Sequence, residues 1–159
     1  MSKSLARVRA VLEAAGLAAR IVEMPEGTRT AAEAARAVGC ELDRIAKSVI
    51  LRGGRSNEPA LFVTAGGRRV DLDAAALALG EPLVRADAAF VREHTGFAIG
   101  GVAPLAHRRP PRAFWDERLD AFATVWAAAG TPRHVFEIAP GRLRSLAGAA
   151  PLAGIFAGM

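Results

Sequence analysis

The sequence predicts an α+β domain built round one mixed β-sheet flanked by helices. Three observations carry that expectation. Helical and β-type hydrophobic periods alternate along the chain without the strict strand–helix–strand rhythm of a parallel sheet. Turn and cap residues fall between almost every pair of runs. No internal repeat or low-complexity linker interrupts the 159 residues, a length that suits a single domain over residues 1–159.

The elements follow in order. Leu5, Val8 and Leu12 recur at helical spacing and Gly16 stops the helix. Ala19 to Met24 reads as a strand, ended by Pro25 and Gly27. Thr30-Ala31-Ala32-Glu33 is a capping box, and the helix it starts runs to about Val38 with Gly39 as its cap. Ala46 to Arg52 and Ala60 to Ala65 are β-type runs joined by a Gly/Ser/Asn/Pro hairpin, and Gly66-Gly67 makes the next turn. Asp71 or Asp73 caps a helix that stops at Gly80, and Pro82 to Arg85 is a short strand. Asp87 caps a helix that ends near His94. The stretch Gly96 to Pro104 holds too many glycines for a helix, and Arg108 to Arg112 is extended. Asp116 starts a helical turn. Ala123 to Ala128 and His134 to Ile138 are late strands, and Pro140 and Gly148 frame a last helix.

Composition narrows the function. Apolar residues make up 52% and charged residues 23%, which excludes a disordered chain or a disulfide scaffold. No apolar run is long enough to span a bilayer, and the first residues enter a charged amphipathic pattern, so a cytoplasmic protein is expected. The single Cys40 has no internal disulfide partner. The net charge of +5 suits a nucleic-acid partner without identifying one. Walker-type phosphate loops, dinucleotide fingerprints and G-x-S-x-G elbows are missing. His94, His107, His134 and Cys40 have no metal-ligand spacing, so no metal is expected.

Two features remain. The chain has 19 arginines and only two lysines, Lys3 and Lys47. Lys47 stands in the apolar run Ile45-Ala46-Lys47-Ser48-Val49-Ile50-Leu51. An ammonium is a compact point charge whose proton affinity falls on burial, so Lys47 either does what Arg cannot or is a chance survivor laying its stem along the sheet. The second feature is the Gly96/Gly100/Gly101 loop ending at Pro104. Its glycines admit positive φ and close backbone approach, and consecutive amides in such a loop can bind an anion or a developing oxyanion. The plainer reading is a tight turn.

Together these pieces resemble the YbaK/ProX family of aminoacyl-tRNA deacylases, whose domain is shared with the editing insertion of bacterial prolyl-tRNA synthetases. The resemblance is strongest over residues 17–146. It rests on Arg44 to Leu51, on Thr95 to Leu105 (similar to the family's T-G-x-x-x-G-G-x-x-P loop), and on Ala128-Ala129-Gly130 with the strand and helix that follow. It implies a mixed sheet curled into a pseudo-barrel and hydrolysis of the ester joining a wrong, small amino acid such as Ala or Cys to the tRNA 3′ end, with tRNA-Pro the expected carrier. It also implies that Lys47 holds the terminal adenosine and its phosphate, and that no metal or organic cofactor takes part. Gly100 and Gly101 would present backbone groups to the aminoacyl moiety, and a water assisted by a ribose hydroxyl would attack the carbonyl.

The resemblance places Met24, Thr30, Phe97, Val102, Ala103, Pro104 and His134 near the substrate. Phe97 stands where the cysteine-editing branch has Tyr, Ala103 where the loop has Ser and Ala106 where it has Gly, so the substrate amino acid stays open. His134 is either a polar contact to substrate or a half-buried strand histidine; His94 ends its helix, where its charge suits the dipole. Thr30 is first a helix cap. Arg108, Arg109 and Arg112, with Phe114 and Trp115 nearby, either meet the acceptor stem, because basic and aromatic residues interleave there, or form an exposed loop with a buried aromatic anchor. The expected partners are mischarged tRNA and, as a second candidate, prolyl-tRNA synthetase, with no DNA and no membrane; monomer and homodimer are both open. The competing reading is a non-catalytic tRNA- or synthetase-binding module of the same fold, or a nucleotide-binding domain that has lost editing.

Overall fold

The computed structural model describes residues 2–17 and 20–158. Five helices and ten strands alternate along it. Helix α1 (Lys3–Ala14) packs Leu5, Val8 and Leu12 inward. Strand β1 (Ile21–Glu23) follows; Ala19, the expected start of this strand, lies outside the described residues. Helix α2 (Ala31–Val38) begins at the anticipated capping box. The Thr30 hydroxyl accepts from Glu33 N–H, the Glu33 carboxylate accepts from Thr30 N–H, and Gly39 closes the helix at φ +73°.

Strands β2 (Ala46–Gly53) and β3 (Pro59–Ala65) form an antiparallel hairpin, with Lys47 opposite Thr64. Every residue of β3 is buried, as a strand covered on both faces must be. After β4 (Arg68–Val70) come α3 (Leu72–Leu79, capped by Asp71), β5 (Leu83–Arg85) and α4 (Ala88–Thr95, capped by Asp87). Then follow β6 (Arg112–Trp115), β7 (Val125–Thr131), β8 (His134–Ile138), α5 (Pro140–Ala147), β9 (Ala150–Pro151) and β10 (Phe156–Gly158).

The strands fall into three ladders. One is mixed, in the order β5-β2-β3-β6-β9, with β3–β6 and β6–β9 parallel. The second is antiparallel β1-β8-β7, and the third pairs β4 with β10. A parallel bridge between Ile45 and Trp126 brings the start of β2 against β7. The α+β class and the mixed sheet are as expected. The expected extended run at Arg108–Arg112 shifts: the strand begins where that run ends, because Arg112 to Trp115 carry the alternation that packs on β3. Strands β4, β9 and β10 carry too few residues for a readable period, and β4 and β10 exist only as partners of each other.

The main core lies between the two larger ladders. It holds the fully buried Trp115, Phe97, Phe136, Leu61 and Val63, and α1 closes it against β7. A close approach fixes α1 there. At Gly130 (φ +99°) a Cβ would sit 2.8 Å from the Ser4 carbonyl oxygen, and the Ser4 hydroxyl donates to Gly130 O at 2.7 Å.

At the opposite end of the β2–β3 hairpin, Glu81 gathers the tip. Its carboxylate accepts from Arg55 N–H (3.0 Å), Ser56 N–H (2.9 Å), the Ser56 hydroxyl (2.8 Å) and Arg112 (3.1 Å). The hydrogen bonds from Ser56 and Arg55 pull its pKa down to about 2, and Arg112 adds to them. A carboxylate held below its unfolded value stabilises the fold above that value, and this is lost as pH falls through the folded value. Glu81→Gln is therefore expected to lower the Tm at neutral pH and to flatten its fall between pH 4.5 and about 2. Thermal melts across that window check this; a variant with the wild-type acid profile would contradict it.

Candidate functional site

A cleft of about 250 Å³ opens between α2, β2, the β7–β8 pair and the Gly96–Pro104 loop. Its walls are mostly apolar: Ala31, Ala34 and Val38 from α2, Ile50 from β2, Val91 from α4, and Trp126 and Val135 from the β7–β8 pair. The strands produce this lining by alternation. On β7, Val125, Ala127 and Ala129 turn to the core, leaving Trp126 and Ala128 for the other face. The polar side chains at the cleft are few: Thr28, Arg29, Thr30, Lys47 and Ser48.

Ala46, Ser48 and Ile50 share one face of β2, while Lys47 shares the other with Val49 and Leu51. Lys47 thus meets the cleft from its edge. Its Nζ donates to Gly66 O at 3.2 Å, and Gly66 packs against Ala31 of the cleft wall. Burial pushes the ammonium below the usual lysine value, and the Asp43 and Asp116 carboxylates oppose that.

The loop meets the cleft through Ile99, Gly100 and Val102. Gly100 has φ +93°. Among the described residues, no backbone carbonyl takes the amides of Gly100 and Val102. Gly101 differs: its N–H closes a turn onto Ala98 O at 3.0 Å, and a Cβ there would lie 2.8 Å from the Thr131 backbone. Gly101 therefore seats the loop on the β7–β8 tip and has no amide to spare for an oxyanion. From below, His107 Nε2 donates to Ala103 O at 2.6 Å, and burial lowers its proton affinity, keeping the ring neutral.

Of the residues singled out from sequence, the cleft brings together Lys47, Thr30, Gly100 and Val102. The others lie elsewhere. Phe97 and Ala103 are fully buried core residues; Phe97 sits edge-on to His107 and under the Arg7 guanidinium, so a phenol there would face the core. Pro104 is buried, and Met24 is buried with its N–H on Arg133 O. His134 faces away from the cleft because its neighbour Val135 faces in. The Thr131 hydroxyl accepts from Arg133 N–H and shares a hydrogen bond of 2.7 Å with His134 Nδ1, and Nε2 points towards Glu23, 3.7 Å away. His134 lines a separate groove with Ser2, Arg9 and Glu23. His94 is buried, stacked on Phe90 and bonded to its carbonyl.

Arg108 and Arg109 are exposed, but Arg112 is tied to Glu81. Arg112 pairs with Ala60 on one side of β3 and Lys47 with Thr64 on the other, an offset of ~13 Å along the strand direction with β3 between them. The aromatics beside these arginines point inward: Trp115 is fully buried with Nε1 on Asp120, and Phe114 stacks on Phe62. Arg29, Ser48, Ile99 and Trp126 were not anticipated at the cleft. The alternation of β2 and β7 held the signal for Ser48 and Trp126; for Arg29 there was none beyond its place before the Thr30 cap. Among the described residues no group of three or more His, Cys, Asp or Glu side chains could hold a metal ion, and no helix is long and apolar enough to cross a membrane.

Residues 25–146 match the family of the aminoacyl-tRNA editing domain. The Bacillus subtilis protein YwhH is 32% identical over 123 residues, 77% of this chain and 78% of that one. A crystal structure described as "a putative trans-editing enzyme for prolyl tRNA synthetase" superposes with a TM-score of 0.87 at 44% identity, over 96% of each chain. The hypothetical protein APE2540 gives 0.82 at 29% identity, over 91% of this chain and 96% of that one.

The contacts of Gly101 yield a stability prediction. Gly101→Ala forces a methyl group into the Thr131 backbone and should cost about 1–3 kcal/mol. Gly141→Ala, in α5 with open space around it, should instead add about 0.4–1 kcal/mol. Urea denaturation of both variants reads the two signs; a neutral Gly101→Ala would show that the loop is not seated on the hairpin.

Proposed function

Because the chain belongs to the aminoacyl-tRNA editing domain family, we propose that it is a deacylase that frees tRNA from a wrongly attached small amino acid. The observation that carries this reading is that Lys47 lines the same small apolar cleft as Gly100 and Val102, whose amides no backbone carbonyl takes among the described residues. In this reaction water adds to the ester carbonyl, the bond from that carbon to the ribose oxygen breaks, and the ribose oxygen takes a proton. The products are the free amino acid and tRNA with an intact terminal adenosine.

Lys47 binds the phosphate of the terminal nucleotide, and the free loop amides receive the carbonyl oxygen as it gains charge. Gly100 and Val102 fill this second role rather than Gly101, whose amide is engaged. An aminoacyl ester is already activated, so a single oxyanion donor contributing about 3–4 kcal/mol is a large part of what the reaction needs. Apolar walls select by size: a cleft bounded by Ala31, Ala34, Val38 and Val135 takes Ala or Cys and crowds larger side chains. The likeness to the structure described as "a putative trans-editing enzyme for prolyl tRNA synthetase" supports tRNA-Pro as the carrier and that synthetase as a partner.

The test is a panel of Ala-, Cys- and Ser-tRNA-Pro beside correctly charged Pro-tRNA-Pro. Hydrolysis of at least one mischarged species, with Pro-tRNA-Pro spared, is the expected result. Lys47→Ala should lower kcat/KM by about 100-fold, the equivalent of about 2.7 kcal/mol. Binding of tRNA without turnover of any species would instead identify a non-catalytic module.

A further inference from the structure

The Lys47 ammonium is held by a turn that is itself anchored on both sides. Gly66, whose carbonyl accepts from Nζ at 3.2 Å, has no room for a side chain: a Cβ would lie 2.3 Å from Leu42 O and 3.2 Å from the Ala31 Cβ. Gly67 donates its N–H to Asp43 Oδ1 at 2.8 Å, and a Cβ there would lie 2.6 Å from the same oxygen. Asp43 Oδ2 takes Arg118 Nε at 3.0 Å. Before the turn, Ala65 N–H donates to the buried Asp116 Oδ2 at 3.0 Å, while Asp116 Oδ1 takes Arg68 and the Arg118 N–H. Two carboxylates from separate segments thus pin the two backbone amides that flank Gly66.

We propose that Asp43 is a positioning residue for Lys47, fixing through the Gly66–Gly67 turn the carbonyl that holds the ammonium at the edge of the cleft. This rests on the reading in which Lys47 meets the substrate phosphate. A flexible lysine side chain loses rotamer freedom when it binds, and a tether made beforehand lowers that cost. Asp43 also acts through its charge. The carboxylates that attract the ammonium are Asp43 and Asp116, each shared with an arginine, Arg118 and Arg68. Arg29 is the other cationic side chain at the cleft, and it lies over Gly100.

Two variants separate the anchor from the charge. Asp43→Asn keeps an oxygen for Gly67 N–H and removes the charge; Asp43→Ala removes both. Because Lys3 and Lys47 are the only lysines, ¹³Cε-lysine labelling gives two signals, with Lys3 as internal control. In Asp43→Ala the Lys47 signal should titrate at lower pH than in the wild type, because a carboxylate that favours the ammonium is gone while its burial remains. KM for mischarged tRNA should rise about tenfold, the scale of a lost hydrogen bond to a charged group, while kcat holds. In Asp43→Asn the titration should drop with a smaller rise in KM. If both variants keep the wild-type Lys47 titration and KM and only melt earlier, Asp43 is a staple of the turn and the proposal fails. If the Lys47 signal responds as expected but the wild type hydrolyses no mischarged tRNA, the tether stands and the deacylase reading alone falls.

Discussion

The site depends on one cation kept at the edge of an apolar cleft. Most of the cleft wall is hydrocarbon, and a charge beside such a wall is costly unless something solvates it. Here the Gly66 carbonyl does so, with two carboxylates close by. Several features that look incidental serve that arrangement. The Gly66-Gly67 pair is needed because any side chain would strike Leu42 or Asp43. The 3-10 turn Leu42–Arg44 is needed because it brings Asp43 to the turn. The full burial of β3 keeps the strand that ends in this turn from shifting register.

The loop across the cleft obeys a different constraint. In the proposed reaction the loop amides receive the substrate carbonyl, and amides kept free for that need a scaffold that does not consume them. Gly101 meets the Thr131 backbone, His107 holds Ala103 O, and Phe97 fills the core beneath. The support is thus made by glycine contact, an imidazole and an aromatic ring, while Gly100 and Val102 line the cleft with amides that no backbone carbonyl takes among the described residues. Neutrality matters at His107: a charged ring there would sit near Arg7, which already lowers its proton affinity.

Much of this was legible in the sequence because local chemistry signals itself. The Thr30–Glu33 capping box, the Asp71 and Asp87 caps and the left-handed Gly39, Gly80, Gly96 and Gly148 all fall where residue type alone places them. Lys47 stood out by rarity, and the glycine loop by composition. The direction in which side chains face was less legible. His134 and Val135 are adjacent on one strand, and only the partner layer decides which of them meets the cleft. Phe97 lies inside the loop motif, yet its ring is taken by the core. Arg112 reads as a free cation until Glu81, thirty-one residues away in the chain, is placed beside it. Asp43 and Arg118 are seventy-five residues apart, and no local pattern links them to Lys47.

The most direct measurement of the central claim is a crystal structure of the protein with an adenosine monophosphate carrying alanine through a non-hydrolysable 3′-amide. The account requires the phosphate to lie on Lys47 Nζ and the alanyl carbonyl oxygen to lie about 2.7–3.1 Å from the amide of Gly100 or Val102. A ligand seated in the groove of Arg9 and His134, or one that leaves the lysine on Gly66 alone with its phosphate in solvent, would contradict it.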